Sequence, residues 1–130
     1  MPLGFRAIAL PDSNFPNEFL DAFGRPRRVI TCECERSDTP SMTQALLMIS
    51  GGLLNRKVSD GNGRIAKLVK ANTPADQVVD ELFLCSLSRR PTPEEKQAAL
   101  AEIATASNPQ EGYEDFLWTL LNTREFQFNH

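Results

Sequence analysis

The strongest constraint on the fold of this chain is a pattern that recurs where helices are predicted to begin. A side chain that can cap a helix is followed by proline and then, at the third helical position, by an acid. Proline suits the first helical position because its missing N–H would have no partner there, while the cap oxygen and the acid bind exposed amides of the first turn. The pattern occurs at Thr73–Asp76, Thr92–Glu95 and Asn108–Glu111, and Ser41–Gln44 has the related capping-box spacing. These starts predict a mainly helical chain.

Between and after these starts, apolar residues recur at helical spacing and form five stripes. The stripes contain Ala45, Leu46, Ile49, Leu53 and Leu54; Ile65, Leu68 and Val69; Val78, Val79, Leu82, Phe83 and Ser86; Ala98, Ala99, Ile103 and Ala106; and Tyr113, Phe116, Leu117, Leu120 and Leu121. Each stripe needs a partner that shields it from water. We therefore predict an all-α fold, a small helical bundle of about five helices.

The first forty residues differ in character from the rest of the chain. They contain five prolines, a predicted short helix near Asn17–Phe23, and a Val29–Thr31 run that favours extended backbone. We predict that residues 1–40 form an irregular, partly extended N-terminal arm and residues 41–130 the helical bundle. The two parts together make a single domain, which we interpret as a fragment of a larger protein.

Charge and hydropathy exclude two broad classes of partner. Fourteen basic and seventeen acidic residues give a net charge of -3, which argues against a surface that follows nucleic-acid phosphates. The longest apolar run, Ala45–Ile49, is far shorter than the roughly 20 residues that cross a bilayer. The first residues also lack the features of a signal peptide, so we expect a soluble fragment with any export signal upstream.

The segment Thr31–Arg36 places two thiols, two carboxylates and a guanidinium within a few residues. Arg36 can donate in a fork to a carboxylate, which would keep Glu33 or Glu35 ionised. A catalytic acid or base needs a pKa near the working pH, and no such arrangement is visible. We therefore interpret Glu33, Glu35 and Arg36 as a structural clasp, and we predict no catalytic residue.

Metal binding is the alternative interpretation of the same segment. Cys32, Cys34, Cys85 and His130 could complete a tetrahedral zinc shell by stoichiometry. However, Cys85 has apolar neighbours in its predicted helix, and His130 is the terminal residue of the sequence. We expect reduced structural cysteines and no bound cofactor. A single histidine also makes a serine–histidine hydrolase a poor fit.

Four further residues are candidates for an interaction surface. Arg25, Arg27 and Arg28 surround Pro26, where a solvated loop is the simpler interpretation. Trp118 lies off the main apolar stripe of its helix, where it would mark either a contact surface or a partly buried core position. Arg89 and Arg90 follow the third long helix, where their charges complement the dipole at its C-terminus.

Several motifs, taken in order, resemble one known family. They are Ala9–Ser13, Phe19–Pro26, Cys32–Ser37, Gln44–Leu46, Leu84–Glu94 and Leu120–His130. Together they resemble the C-terminal part of a planctomycete-type family of domains of unknown function, with coverage from about Ala9 to the last residue. The resemblance implies a large exported parent protein that often also carries a cytochrome-c-like domain, and an extracytoplasmic location. It implies no activity.

These observations favour a non-catalytic structural or interaction module whose partners are other domains of the parent or another protein. The main alternative is a redox or metal-binding module that works with a haem domain through Cys32 and Cys34. A third hypothesis, part of a carbohydrate-directed enzyme, requires two carboxylates facing a cleft. Elemental analysis and thiol titration of the purified chain separate the first two, since stoichiometric metal or a reversible Cys32–Cys34 bridge supports the alternative.

The clasp interpretation predicts that Arg36→Ala lowers the thermal stability of the chain, because the variant loses the fork that ties the segment to the helices. Thermal unfolding followed by circular dichroism measures the effect. An unchanged unfolding midpoint would count against the clasp.

Overall fold

A computed structural model of the chain describes residues 16–25 and 41–128, and within these ranges it contains eight α-helices and no β-strand. The helices are α1 (Glu18–Ala22), α2 (Met42–Ser50), α3 (Gly52–Val58), α4 (Arg64–Lys70), α5 (Ala75–Leu87), α6 (Pro93–Ile103), α7 (Pro109–Leu121) and α8 (Arg124–Phe128). The predicted all-α class is confirmed. The chain divides into two compact units, Met1–Leu47 and Met48–His130.

The described helices outnumber the predicted ones because one predicted segment is divided and a further short helix follows the last predicted stripe. The apolar stripe predicted over residues 45–54 is broken at Gly51, whose extended backbone (φ -68°, ψ 116°) ends α2 and opens α3. At the other end of the sequence, Asn122 ends α7, and α8 follows as a separate short helix. The predicted short helix near Asn17–Phe23 is present as α1.

Within the first unit, α1 is held by local contacts. The Asn17 side chain accepts a hydrogen bond from the Leu20 amide at 3.0 Å and so caps the helix. The rings of Phe19 and Phe23 stack with centroids 4.6 Å apart. The Gln44 side-chain amide donates to the Ala22 carbonyl at 3.0 Å, which connects the end of α1 to the start of α2.

Three of the four predicted caps are confirmed. Thr92 and Glu95 form a reciprocal capping box at the start of α6. Asn108 accepts from the Glu111 amide at 2.9 Å at the start of α7. The Ser41 and Gln44 side chains each bind the other residue's backbone amide, at 3.3 and 3.2 Å.

The predicted cap at Thr73 is wrong. Helix α5 begins at Ala75, its capping residue is Pro74, and no side chain caps it. The Pro74 carbonyl accepts from the Gln77 and Val78 amides, both at 3.0 Å. Because Pro74 takes the capping position itself, the Thr73 hydroxyl lies one residue too early to bind the first turn.

The core of the second unit lies around α7. Helices α3, α4, α5, α6 and α8 all contact α7. The buried apolar residues of the core are Val58, Ile65, Val78, Val79, Leu82, Phe83, Ala99, Ile103, Tyr113, Phe116 and Leu120. The rings of Phe83 on α5 and Phe116 on α7 pack with centroids 5.9 Å apart. The stripes predicted for α5 and α7 are thus the faces that meet in the core.

Gly112 allows α7 to approach the end of α6 closely. A Cβ atom at this position would lie 2.9 Å from the Ile103 carbonyl oxygen and 3.1 Å from the Ala106 Cβ. Contacts this short with backbone require the helices to separate, so a side chain larger than hydrogen does not fit here.

The stripe predicted on α2 is not buried as expected. Leu46 is 56% exposed and Ile49 is 53% exposed, whereas Met48 on another face of the same helix is 5% exposed. Met42, one turn before Leu46, is 78% exposed. The residues Met42, Leu46 and Ile49 form the α2 stripe, which is defined by this shared exposed face.

The different outcomes at Thr92 and Thr73 give a matched test of capping. Thr92→Ala removes the acceptor for the Glu95 amide and should lower the unfolding free energy by about 1 kcal/mol. Thr73→Ala should leave it within about 0.5 kcal/mol of the native value, since the hydroxyl caps nothing. Urea unfolding at equilibrium measures both changes. Equal losses for the two variants would contradict the assigned start of α5.

Candidate functional site

The most extensively connected polar group in the described part of the chain is the guanidinium of Arg89. Its Nη1 and Nη2 atoms donate to the two carboxylate oxygens of Glu95, both at 2.8 Å. Its Nε and Nη2 atoms donate to the two oxygens of Glu125 at 2.6 and 2.8 Å. Arg89 also lies over the Phe83 ring, 5.3 Å from its centroid. One side chain after α5 therefore connects the start of α6 to α8.

The charges in this cluster stabilise one another. Hydrogen bonds from Arg89, aided by the Thr92 amide, lower the pKa of Glu95 to about 2. The same guanidinium lowers the pKa of Glu125, and the two carboxylates raise the pKa of Arg89 above its already high ordinary value. Both acids are therefore ionised at neutral pH, and neither has the pKa that proton transfer near neutrality requires.

The sequence did not reveal this cluster. The position of Arg89 after α5 predicts a charge that complements the dipole of that helix, whereas its ion-pair partners lie on α6 and α8. The Glu95 carboxylate binds Arg89 and also accepts a hydrogen bond from the Thr92 amide at 2.8 Å in the capping box. The only local indication was that box, which positions Glu95 near the chain reversal after α5.

A second ion pair joins α5 to α6. The Lys96 ammonium donates to both oxygens of Asp80 at 2.9 Å, and both side chains are half-buried. The pairing crosses the same helix interface that Arg89 spans at one end. These two contacts fix the relative placement of α5 and α6 from the outside of the core.

The surface between α4 and α5 contains a cleft of about 450 Å³ lined by Arg64, Lys67, Leu68 and Glu81. The Arg64 Nη1 atom donates to Glu81 Oε1 across the cleft. Leu68 contributes an apolar surface and packs against the core beneath. Among the described residues, the cleft thus places three charged side chains beside one apolar side chain, Leu68.

The structure describes three of the predicted site residues. Cys85 is a free cysteine exposed on α5, although its neighbours in the sequence are apolar. Its thiol donates to the Leu82 carbonyl at 3.3 Å, and partial desolvation of the sulfur raises its pKa. Trp118 is half-buried on α7. Arg25 forms an ion pair with Asp21, with Nη2 and Oδ1 2.5 Å apart.

The other predicted site residues lie outside the described ranges. They are Arg27, Arg28, Cys32, Glu33, Cys34, Glu35, Arg36 and His130. The proposed clasp and the proposed Cys32, Cys34, Cys85, His130 metal site therefore remain predictions. Within residues 16–25 and 41–128, no three histidine, cysteine, aspartate or glutamate side chains lie close enough together to hold a metal ion. None of the helices in these ranges has the length and apolar character needed to cross a bilayer.

Comparison with known protein families identifies a relationship for most of the chain. The model of a family described as PSD1, protein of unknown function (DUF1553), matches residues 6–103. The matched span includes α1 to α6, with both Arg89 and Glu95, and ends before α7 begins. No curated protein and no solved structure matches the chain.

The Arg89 cluster predicts a pH-dependent stability difference. Because the folded-state pKa of Glu95 is depressed to about 2 from 4.5, its contribution is present above the unfolded-state value and is lost as the pH falls. Arg89→Gln should lower the urea midpoint at pH 7, and its difference from the native chain should shrink as the pH falls below 4.5.

The neighbouring arginine is the control for this experiment. Arg90 is exposed, and its guanidinium makes no hydrogen bond or ion pair with the described residues. Arg90→Gln should therefore leave the urea midpoint unchanged at every pH. A loss as large in Arg90→Gln as in Arg89→Gln, or a difference that does not depend on pH, would contradict the assigned pairing.

Proposed function

The chain belongs to the DUF1553 (PSD1) family of proteins of unknown function, and we propose that it is a non-catalytic protein-interaction module of a multidomain exported protein. The observation that carries this proposal is the α2 stripe. Met42, Leu46 and Ile49 are 78%, 56% and 53% exposed, although a soluble chain gains by burying large apolar side chains. Contiguous exposed apolar residues are typical of protein-binding surfaces.

The composition of α2 supports the same function. Its sequence, Met42–Ser50, contains no charged residue, whereas α5 and α6 carry the ion pairs described above. The centres of protein interfaces are depleted in charged residues and enriched in methionine, and a charged helix would resist desolvation on binding. An uncharged helix with a methionine at its most exposed apolar position fits an interface centre.

The partner we propose is another domain of the same parent protein, with an apolar surface complementary to the α2 stripe. The resemblance of the motifs to a planctomycete-type family supports an exported, extracytoplasmic parent that often carries a cytochrome-c-like domain. Trp118 in the second unit and, separately, Arg25, Arg27 and Arg28 in the first unit are proposed as further interaction residues. The segment Cys32–Arg36 is proposed as the internal clasp of the module.

The Arg89 cluster supports a structural rather than catalytic use of charge. Arg89, Glu95 and Glu125 bind one another through both edges of the guanidinium. Because the donors of Arg89 are occupied by acceptors on α6 and α8, this side chain helps to position both helices. The acids it holds are ionised well below neutral pH, which suits a stable scaffold.

Methionine oxidation provides the test of this function. In the isolated chain, Met42 should be oxidised by dilute peroxide much faster than Met48, because Met42 is 78% exposed and Met48 is 5% exposed. In the intact parent protein the partner domain covers Met42, so the ratio of the two rates should fall toward one. Peptide mass spectrometry measures both rates in the same sample.

Two variants of the parent protein make this experiment specific. Ile49→Asp places a charge in the α2 stripe and should restore the oxidation of Met42 in the parent. Thr43→Asp introduces the same charge at an exposed position on another face of α2 and should leave Met42 protected. Equal oxidation of Met42 in the isolated chain and the parent would contradict the proposal.

A further inference from the structure

The cleft between α4 and α5 is not used by the proposed interaction surface, and its charges differ from those of the whole chain. The chain carries a net charge of -3, but among the residues that the structure describes the cleft is lined by two cations, Arg64 and Lys67, and one anion, Glu81. A local excess of positive charge on an acidic protein raises the local concentration of small anions.

The donors of the two cations are largely available. Among the described residues, Glu81 accepts from one N–H group on Arg64 Nη1, and the other four N–H groups of Arg64 have no acceptor there. The Nε and Nη2 atoms, which together form the fork that suits a planar carboxylate, have no acceptor among the described residues. Lys67, three residues further along α4, makes no hydrogen bond or ion pair with the residues that the structure describes.

The same cleft offers an apolar surface beside these donors. Leu68 is half-buried and packs against the core, so it presents a fixed patch rather than a mobile side chain. The cleft volume of about 450 Å³ falls in the range of small-molecule sites. A ligand that matches these groups needs an anionic head for the cations and a short apolar tail for Leu68.

We propose that the cleft between α4 and α5 binds a small carboxylate that carries a short apolar tail, with Arg64 and Lys67 receiving the carboxylate and Leu68 the tail. Glu81 acts as the internal competitor for Arg64. The Arg64 and Glu81 side chains are 54% and 41% exposed. Exposed ion pairs contribute little to the free energy of unfolding. A ligand carboxylate can therefore share Arg64 with Glu81 or replace it.

The role of Glu81 makes the test direct. Hexanoate is titrated into the isotopically labelled 130-residue chain, and the shifts of the Arg64, Lys67, Leu68 and Glu81 amide signals are followed by NMR. Arg64→Gln and Lys67→Gln should each weaken hexanoate binding by about tenfold, because each removes a charged donor. Glu81→Gln should strengthen binding, since it removes the competitor and its repulsion.

The controls identify which chemistry the cleft recognises. Lys57→Gln changes an exposed cation on α3 outside the cleft and should leave hexanoate binding unchanged. Hexanol, which has the same tail without charge, should cause smaller shifts than hexanoate, and inorganic phosphate should bind more weakly because it makes no contact with Leu68.

Three results would overturn the proposal. They are equal shifts with hexanol and hexanoate, equal losses for Lys57→Gln and Lys67→Gln, and a Glu81→Gln variant that binds hexanoate no more tightly than the native chain. Each of these outcomes leaves the α2 stripe and the proposed interaction function untouched, because none of the tested residues belongs to α2.

Discussion

Burial of one face of α7 is the interaction on which the second unit depends. Tyr113, Phe116 and Leu120 recur at helical spacing, and each is less than a tenth exposed. Phe83 on α5 packs against Phe116, and helices on either side in sequence also contact α7. Fully burying one such side chain adds about 1.5–3 kcal/mol to the free energy of unfolding. An exposed ion pair typically adds only about 0–1 kcal/mol.

The polar contacts act on a core that is already positioned. Arg89 joins the residues after α5 to Glu95 on α6 and Glu125 on α8, and it covers the outer side of the Phe83 ring. Lys96 and Asp80 make a second connection between α5 and α6. Because these groups remain partly solvated, their contribution is to orient short helices that have little apolar surface of their own.

Patterns within a short stretch of sequence predicted the features that depend on neighbouring residues, namely helix caps and apolar helix faces. The caps at Thr92 and Asn108, and the apolar stripes of α5 and α7, follow from spacing within one helix. Thr73 failed as a cap because Pro74 can itself occupy the capping position, which the cap-proline-acid pattern alone does not distinguish. The pairing of Arg89 with Glu125 joins residues far apart in sequence, so no local pattern contains it.

The exposure of the α2 stripe was also beyond local reasoning. A helical stripe shows that a face can be buried, but whether it is buried within the chain or against a partner depends on the neighbours available. The cleft between α4 and α5 could not be predicted from a local pattern either, because Arg64 and Glu81 come from different helices. Sites formed between elements require the fold before they can be identified.

Native-state hydrogen exchange measures whether the core around α7 is the most stable part of the second unit. The slowest amides should lie in α5 and α7, at positions such as Leu82, Phe116 and Leu120, and they should share one opening free energy. Amides of α8 should exchange faster, because that helix has no buried residue. Slower exchange in α8 than in α7, or separate opening of α5 and α7, would contradict this order of stability.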